Sequence, residues 1–120
     1  MPLITKFEEI QAWQEARKLT KQIYGLASAE PFRRDFGLRD QIQRAAVSSM
    51  SNVAEGFDCD SKPEFARFLG IARRSTLEVQ SLLYVALDVR YINSESFDLN
   101  YEQARKTKAL IGGFRHRLAQ

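Results

Sequence analysis

The chain has 120 residues, a length that fits one domain with its own core, and 44% of its residues are hydrophobic. That fraction excludes a disordered chain, and the single cysteine excludes an internal disulfide. The formal net charge is +3 and the pI is about 9.2, a mild basic bias that fits a nucleic-acid partner but is common without one.

The apolar residues have a helical period along the whole chain, beginning with a first helix over residues 7–28. Its expected core face recurs at steps of three and four: Phe7, Ile10, Trp13, Ala16, Thr20, Ile23, Tyr24 and Ala27. Pro31 ends the pattern because proline lacks the backbone donor that a helix interior needs. A second helix is predicted over residues 38–55, and we expect Gly56 to end it in a left-handed conformation.

The second helix contains ten consecutive uncharged residues between Arg44 and Glu55, and most of them are small. Small residues let helix axes approach closely, and hydrogen bonds can satisfy serine and asparagine side chains there. We expect this helix to pack against other helices, including helices of other copies. Its predicted core face is Leu38, Ile42, Ala45, Ala46, Ser49 and Val53.

The third helix is predicted over residues 62–91, because Ser61 to Glu64 reads as a capping box with a proline in the first turn. Its expected core stripe is Phe65, Phe68, Leu69, Ala72, Thr76, Val79, Leu83, Ala86 and Leu87. A second apolar stripe lies roughly 120° away. Either neighbouring helices cover this stripe or, as we favour, another subunit does. The interface candidates are Ile71, Leu82, Val85 and Val89, with Ser49 and Asn52 from the second helix.

Ser94 is the expected cap of a fourth helix over residues 95–118. No sustained alternation or hairpin turn predicts a strand. Four helices joined by short loops predict an all-α fold: an up-and-down antiparallel four-helix bundle, one domain over residues 1–120, assembling as a ring-shaped homo-oligomer.

No group of residues indicates catalysis, a metal site or a cofactor. His116 is the only histidine and has no carboxylate nearby in sequence to orient it as a base. Cys59 alone cannot supply the four ligands of a typical zinc site. Gly112 and Gly113 lack the spacing of a phosphate-binding loop and favour close helix contact or a local break. We therefore expect no enzymatic activity and no small-molecule substrate.

Basic residues are the remaining functional candidates. Phosphate binding needs several cations on one accessible surface, and the five C-terminal cations do not share one helix face, so solubilising charges are the alternative. The aromatic residues mostly follow the core pattern, which favours binding to the backbone of RNA or DNA over readout by stacking. The candidates are Arg33, Arg34, Arg73, Arg74, Arg105, Lys106, Lys108, Arg115 and Arg117.

We expect a cytoplasmic protein without a membrane partner. The first residues, MPLITKFEEIQ, lack the basic segment and apolar run of a signal peptide. The longest apolar run, Leu82 to Leu87, is far shorter than the roughly 20 residues that span a bilayer.

Three segments occur in an order and spacing that match a known family: FEEIQAWQEARKLTKQIY, FGLRDQIQRAAVSSMSNVAEGF and SKPEFARFLGIARRSTLEVQSLLYVALD. Together they resemble the four-helix-bundle proteins of the 23S ribosomal RNA intervening-sequence type. Met50, where the family pattern usually has proline, and Asp58 to Asp60, where a basic or small turn is more usual, depart from it.

The resemblance implies a bundle that assembles as a homopentameric ring, a link to nucleic acid and no enzymatic activity. A related basic bundle is the accessory protein of diversity-generating retroelements. Our leading hypothesis is therefore a non-enzymatic homo-oligomer that binds RNA or DNA through basic surface. The alternative is a protein–protein interaction scaffold or adaptor with no nucleic-acid role.

Overall fold

Four long helices account for most of the chain, as the sequence predicts. The structure is a computed structural model that describes residues 3–119, and these contain no strand. Short 3-10 turns at Phe7–Glu9 and Phe32–Arg34 precede the first two helices. Successive helices pack against each other and the first also packs against the fourth, which makes a four-helix bundle. The helices are α1 (Gln11–Ala27), α2 (Phe36–Phe57), α3 (Lys62–Asp88) and α4 (Ser94–Leu118).

The core has two apolar halves separated by a layer of small side chains. One half surrounds Ile23 and Leu83, and the other surrounds Trp13 and Ile111. The layer between them, called here the small-residue layer, consists of four fully buried residues: Ala16, Ser49, Thr76 and Thr107. Its three hydroxyls each donate to a carbonyl of their own helix at 2.6 to 2.8 Å, so burial leaves none of them without a partner.

The predicted core face of α2 packs inside the protomer. All six residues of its predicted core face are buried. Ser48 Oγ lies 2.8 Å from Ser75 Oγ of α3, which shows how closely the two helices approach. Ser49, expected at a subunit interface, is instead fully buried and donates to the Ala46 carbonyl at 2.6 Å. Ser49 is therefore not accessible to another copy.

The first helix begins later than predicted, and its core face is as predicted at Ile10, Trp13, Ala16, Ile23 and Ala27 but not at Tyr24. Residues 7–9 form a separate turn, held by the Thr5 backbone N–H, which donates to the Glu9 carboxylate at 2.8 Å. Leu19 is fully buried, whereas Tyr24 is nearly half exposed. Ile23 already occupies the core direction at this level, and Tyr24 is rotated about 100° from it.

The termini of α3 and α4 also differ from the prediction. Ser61 Oγ accepts the Glu64 N–H at 3.3 Å, but the Glu64 carboxylate pairs with Arg67 rather than completing a capping box. α3 ends at Asp88, and Arg90 takes a left-handed conformation with φ 65°. Asn93, not Ser94, caps α4, and its side chain accepts the Ser96 N–H at 2.8 Å.

Gly56 does not end α2. The helix continues to Phe57, and no glycine of the described residues has a positive φ. A Cβ on Gly56 would lie 2.8 Å from Phe68 Cβ and 2.9 Å from Phe65 Cδ1. The glycine is therefore needed for close packing of α2 against α3, and its conformational freedom is not used.

Candidate nucleic-acid interface

Four of the nine candidate cations are paired with carboxylates inside the protomer. Arg33 and Arg34 both bind Glu30, each through an Nε–Oε distance of 2.9 Å. Arg105 pairs with Glu102 on the same helix. A cation that already has a carboxylate partner adds little net charge to a phosphate-binding surface.

Lys106 is the fourth paired cation, and its partner lies on another helix. Its Nζ is 3.3 Å from the carboxylate of Glu15, whose side chain is only 13% exposed. The Gln103 amide donates to the same carboxylate at 3.0 Å. This hydrogen bond, followed by the hydrogen bond and charge of Lys106 and by the charge of Lys18, lowers the pKa of Glu15. Lys106 is thus part of a structural contact between α1 and α4.

The other five candidates make no ion pair with any carboxylate of residues 3–119: Arg73, Arg74, Lys108, Arg115 and Arg117. Arg74 is exposed on α3, and the guanidinium carbon of Arg117 lies 5.7 Å from the centre of the Phe114 ring. The structure thus divides the basic residues into a paired set and an unpaired set.

Arg73 and Arg115 lie in the groove between α3 and α4, each next to a glycine of the opposite helix. A Cβ on Gly70 would lie 3.3 Å from Arg115 Cζ, and one on Gly112 would lie 3.4 Å from Arg73 Nε. Arg115 Nε also donates to the Ala66 carbonyl at 3.1 Å. Gly112 therefore allows α3 and α4 to approach closely, which is one of the two roles predicted for it. The other role, a local break, does not occur, because α4 continues through Gly112.

Both arginines line one open cavity of about 370 Å³, together with Ala66, Gly112, His116 and Ala119. Apart from His116, the residues that line this cavity are small residues and the two arginines, and none of the lining residues carries a carboxylate side chain. Such a cavity favours an anion.

Further along the same groove, Tyr84 of α3 faces Tyr101 of α4, with ring centres 5.7 Å apart. Tyr84 is 49% exposed and packs on Phe97 at 4.8 Å. The phenol of Tyr101 is the main cause of a raised pKa at Tyr84. The contacts of Arg73 with Gly112 and of Tyr84 with Tyr101 share one antiparallel register.

That register places Leu77 and Lys108 at the same level, between the arginines and the tyrosines. We call this groove the α3–α4 seam. Sequence reasoning missed Tyr84 because it treated the aromatics as core residues. A clue was present in the sequence, since Tyr84 belongs to neither apolar stripe of the third helix. The seam residues are Gly70, Arg73, Leu77, Tyr84, Tyr101, Lys108, Gly112 and Arg115.

The residues expected at a subunit interface are not equally accessible. Val85 is 44% exposed and Val89 is similar, whereas Ile71 is partly buried. Leu82 is only 9% exposed and belongs to the apolar core of its own chain. Leu82 is therefore a correction to the predicted interface.

One polar and one aromatic residue complete the surface between α2 and α3. Asn52 is partly buried and donates to the Ser48 carbonyl at 2.9 Å. Phe36, which sequence reasoning did not single out, is 64% exposed at the start of α2. It lines an open groove of about 560 Å³ with Ser48 and Ser75.

Within residues 3–119, no three side chains from His, Cys, Asp and Glu are grouped so that they could hold a metal ion. Cys59 donates weakly to the Glu55 carbonyl at 3.5 Å, and desolvation, followed by the charge of Glu64, raises the pKa of its thiol. Among the described residues, no helix combines the length and the apolar character needed to cross a membrane.

The chain is similar to a known family in sequence and to a solved structure in fold. The family described as 23S rRNA-intervening sequence protein matches residues 8–113. A solved structure from Bacteroides thetaiotaomicron, a protein of unknown function from the S23 ribosomal protein family, is similar at a TM-score of 0.79 and 20% identity. The alignment covers 86% of this chain and 96% of that one, and at this identity it shows a shared fold. No curated protein matches the chain.

Proposed function

The chain belongs to the 23S rRNA-intervening sequence protein family, and on that basis we propose that it is a non-enzymatic homo-oligomer that binds RNA or DNA. The observation that carries this proposal is the set of cations that no described carboxylate neutralises. Three of them, Arg73, Lys108 and Arg115, belong to the α3–α4 seam. The family description adds a link to 23S ribosomal RNA, and we propose a cytoplasmic location in keeping with that link.

We propose further that the copies assemble through the surface between α2 and α3, as a pentameric ring. Exposed Val85, Val89 and Phe36 supply apolar surface for such an interface. Five copies with a formal charge of +3 each would carry +15, and the ring would repeat the seam around its axis. Repetition strengthens weak phosphate contacts because several seams can bind one nucleic acid at once.

Fluorescence anisotropy of a labelled RNA, titrated with protein at low and at physiological salt, tests nucleic-acid binding. Affinity should fall as salt rises, because each neutralised phosphate releases counterions. The double variant Arg73→Gln/Arg115→Gln should bind more weakly than the wild type. Its matched control is Arg33→Gln/Arg34→Gln, which removes the same formal charge from arginines already paired with Glu30.

Equal losses from the two double variants would show that net charge, and not the unpaired set, controls binding. No binding at either salt would reject the nucleic-acid role.

The second candidate function is a scaffold for protein partners, and the exposed apolar residues on α3 favour it. Val85→Glu places a charge in this surface and should lower the mass measured by light scattering if copies assemble there. A wild-type protein that is already monomeric, or a variant of unchanged mass, would refute the proposed interface. Apolar protein contacts would also persist at salt concentrations that abolish phosphate binding.

A further inference from the structure

We infer that the α3–α4 seam binds a single-stranded segment of nucleic acid, with phosphates at Arg73 and Arg115 and a base stacked on Tyr84. This inference rests on the proposed nucleic-acid function, and it specifies the form of the strand and the place where it lies. It differs from the sequence prediction, which favoured backbone contacts without stacking.

At one end of the seam, two arginines are positioned so that they can bind a phosphate. Arg115 is fixed through Nε by the Ala66 carbonyl at 3.1 Å, which leaves the two terminal nitrogens of its guanidinium to donate elsewhere. Arg73 lies next to Gly112 in the same cavity, and no described carboxylate pairs with either arginine. A guanidinium matches two phosphate oxygens at once, and an anion between the two arginines also relieves their mutual repulsion.

The glycines make this arrangement possible. A methyl group on Gly70 would lie 3.3 Å from Arg115 Cζ, so the guanidinium occupies the space that a larger residue would fill. Both arginines can therefore lie low in the groove, where a strand that follows the seam would pass. Arg115, which its hydrogen bond to Ala66 holds in place, loses less conformational freedom on binding than a freely moving side chain would.

The tyrosine end offers an aromatic face of the kind that bases stack on. Tyr84 is half exposed, while Phe97 at 4.8 Å and Tyr101 at 5.7 Å support it. It lies about 16 Å from Arg73 along α3, a span of a few nucleotides. Leu77 is nearly half exposed between these two positions, and Lys108 lies at its level on α4. A groove that binds a single strand combines cations along the phosphate backbone with an aromatic ring on which a base stacks.

A duplex fits this surface poorly. Within a duplex both faces of each base are covered by its neighbours, so no base can reach the ring of Tyr84. A single strand can turn one base out of its stack at little cost. The seam therefore predicts that a single strand binds more tightly than a duplex of the same length.

The test uses a single-stranded oligouridylate that carries one 2-aminopurine, a base whose emission is quenched on stacking. Tyr84→Leu removes the ring and should weaken binding roughly tenfold, which is within the range measured for one stacked base. Tyr84→Phe keeps the ring and should bind like the wild type. Tyr24→Leu is the matched control, because Tyr24 is similarly exposed on α1. Quenching should occur with wild type and Tyr84→Phe and be lost with Tyr84→Leu.

The outcomes separate this inference from the proposed function. If Tyr84→Leu binds and quenches like the wild type while Arg73→Gln/Arg115→Gln binds weakly, the stacking inference is wrong and phosphate binding stands. Tighter binding of the duplex, or an equal loss with Tyr24→Leu, would also overturn the inference. No binding of any oligonucleotide would reject both. Circular dichroism of each variant shows that the bundle is folded.

Discussion

Replacing Gly56 by alanine should destabilise the bundle, although alanine is the better helix former. The new Cβ would lie 2.8 Å from Phe68 Cβ and 2.9 Å from Phe65 Cδ1, whereas carbon atoms prefer about 3.5–4.0 Å. A change of rotamer moves neither Phe68 Cβ nor the Phe65 carbonyl oxygen, which would be only 3.3 Å away, so the backbones must separate.

The magnitude follows from two opposing contributions. Overpacking a core contact costs about 1–3 kcal/mol, and here the cost is near the upper end because backbone and Cβ atoms are involved. The change from glycine to alanine inside a helix raises the free energy of unfolding by roughly 1 kcal/mol. Gly56→Ala should therefore lower the free energy of unfolding by about 1–2 kcal/mol.

Gly113→Ala is the matched control, because a Cβ at Gly113 meets nothing within 4 Å. Only the helix contribution remains there, so this variant should be more stable by about 1 kcal/mol. Urea unfolding at one protein concentration, followed by circular dichroism and by the fluorescence of Trp13, measures both variants. The concentration is fixed because assembly would itself stabilise the fold.

The two substitutions are chemically identical and should have opposite signs. If Gly56→Ala is as stable as the wild type, or gains as much as Gly113→Ala, then α2 and α3 are not in tight contact at Gly56. The interpretation of this glycine as a packing residue would then be refuted.

Three further predictions concern helix ends and pH. Arg90 has a φ of 65°, so Arg90→Gly should raise the free energy of unfolding by roughly 0.5–1 kcal/mol, and a lower urea midpoint would contradict this. Asn93→Ala should cost about 1 kcal/mol and Ser94→Ala much less, whereas the reverse order would identify Ser94 as the cap. The pKa of Glu15 is lowered in the fold, so its contribution to stability is complete above its ordinary value of 4.5 and is lost as pH falls through the lowered value. Glu15→Gln should therefore lose less stability than the wild type in acid-unfolding curves, and identical curves would show that the carboxylate contributes nothing.

The helices and the core of α2 could be predicted from the sequence because periodicity records which side of a helix is buried. The ends of the helices were harder to predict, since they depend on single hydrogen bonds such as that between Thr5 and Glu9. Gly56 shows a different limit. A glycine near a helix end can supply either a left-handed turn or a close contact, and only the position of the facing helix distinguishes the two.

The candidate site was predictable in part. Glu102 lies three residues before Arg105 on the fourth helix, so this pairing could have been read from helical spacing, whereas the pairing of Glu30 with Arg33 and Arg34 spans Pro31, where the helical pattern ends. The pairing of Lys106 with Glu15 could not be predicted, because it joins two helices that are far apart in the sequence. The same holds for the seam, whose arginines and glycines meet only when α3 and α4 lie side by side.

The small-residue layer fixes the axial alignment of the helices. Thr20 Oγ1, next to this layer, donates across to the Ala46 carbonyl at 3.0 Å, and Thr107 Oγ1 reaches the Glu15 carbonyl at 3.3 Å. A slip of one turn, about 5.4 Å, would move these hydroxyls against the leucines and isoleucines of either half.

The same slip of α4 would bring Lys108 or His116 opposite Arg73 in place of Gly112, and the room for the arginine would be lost. A layer that buries little apolar surface thus determines whether the two arginines and the two glycines can meet at all.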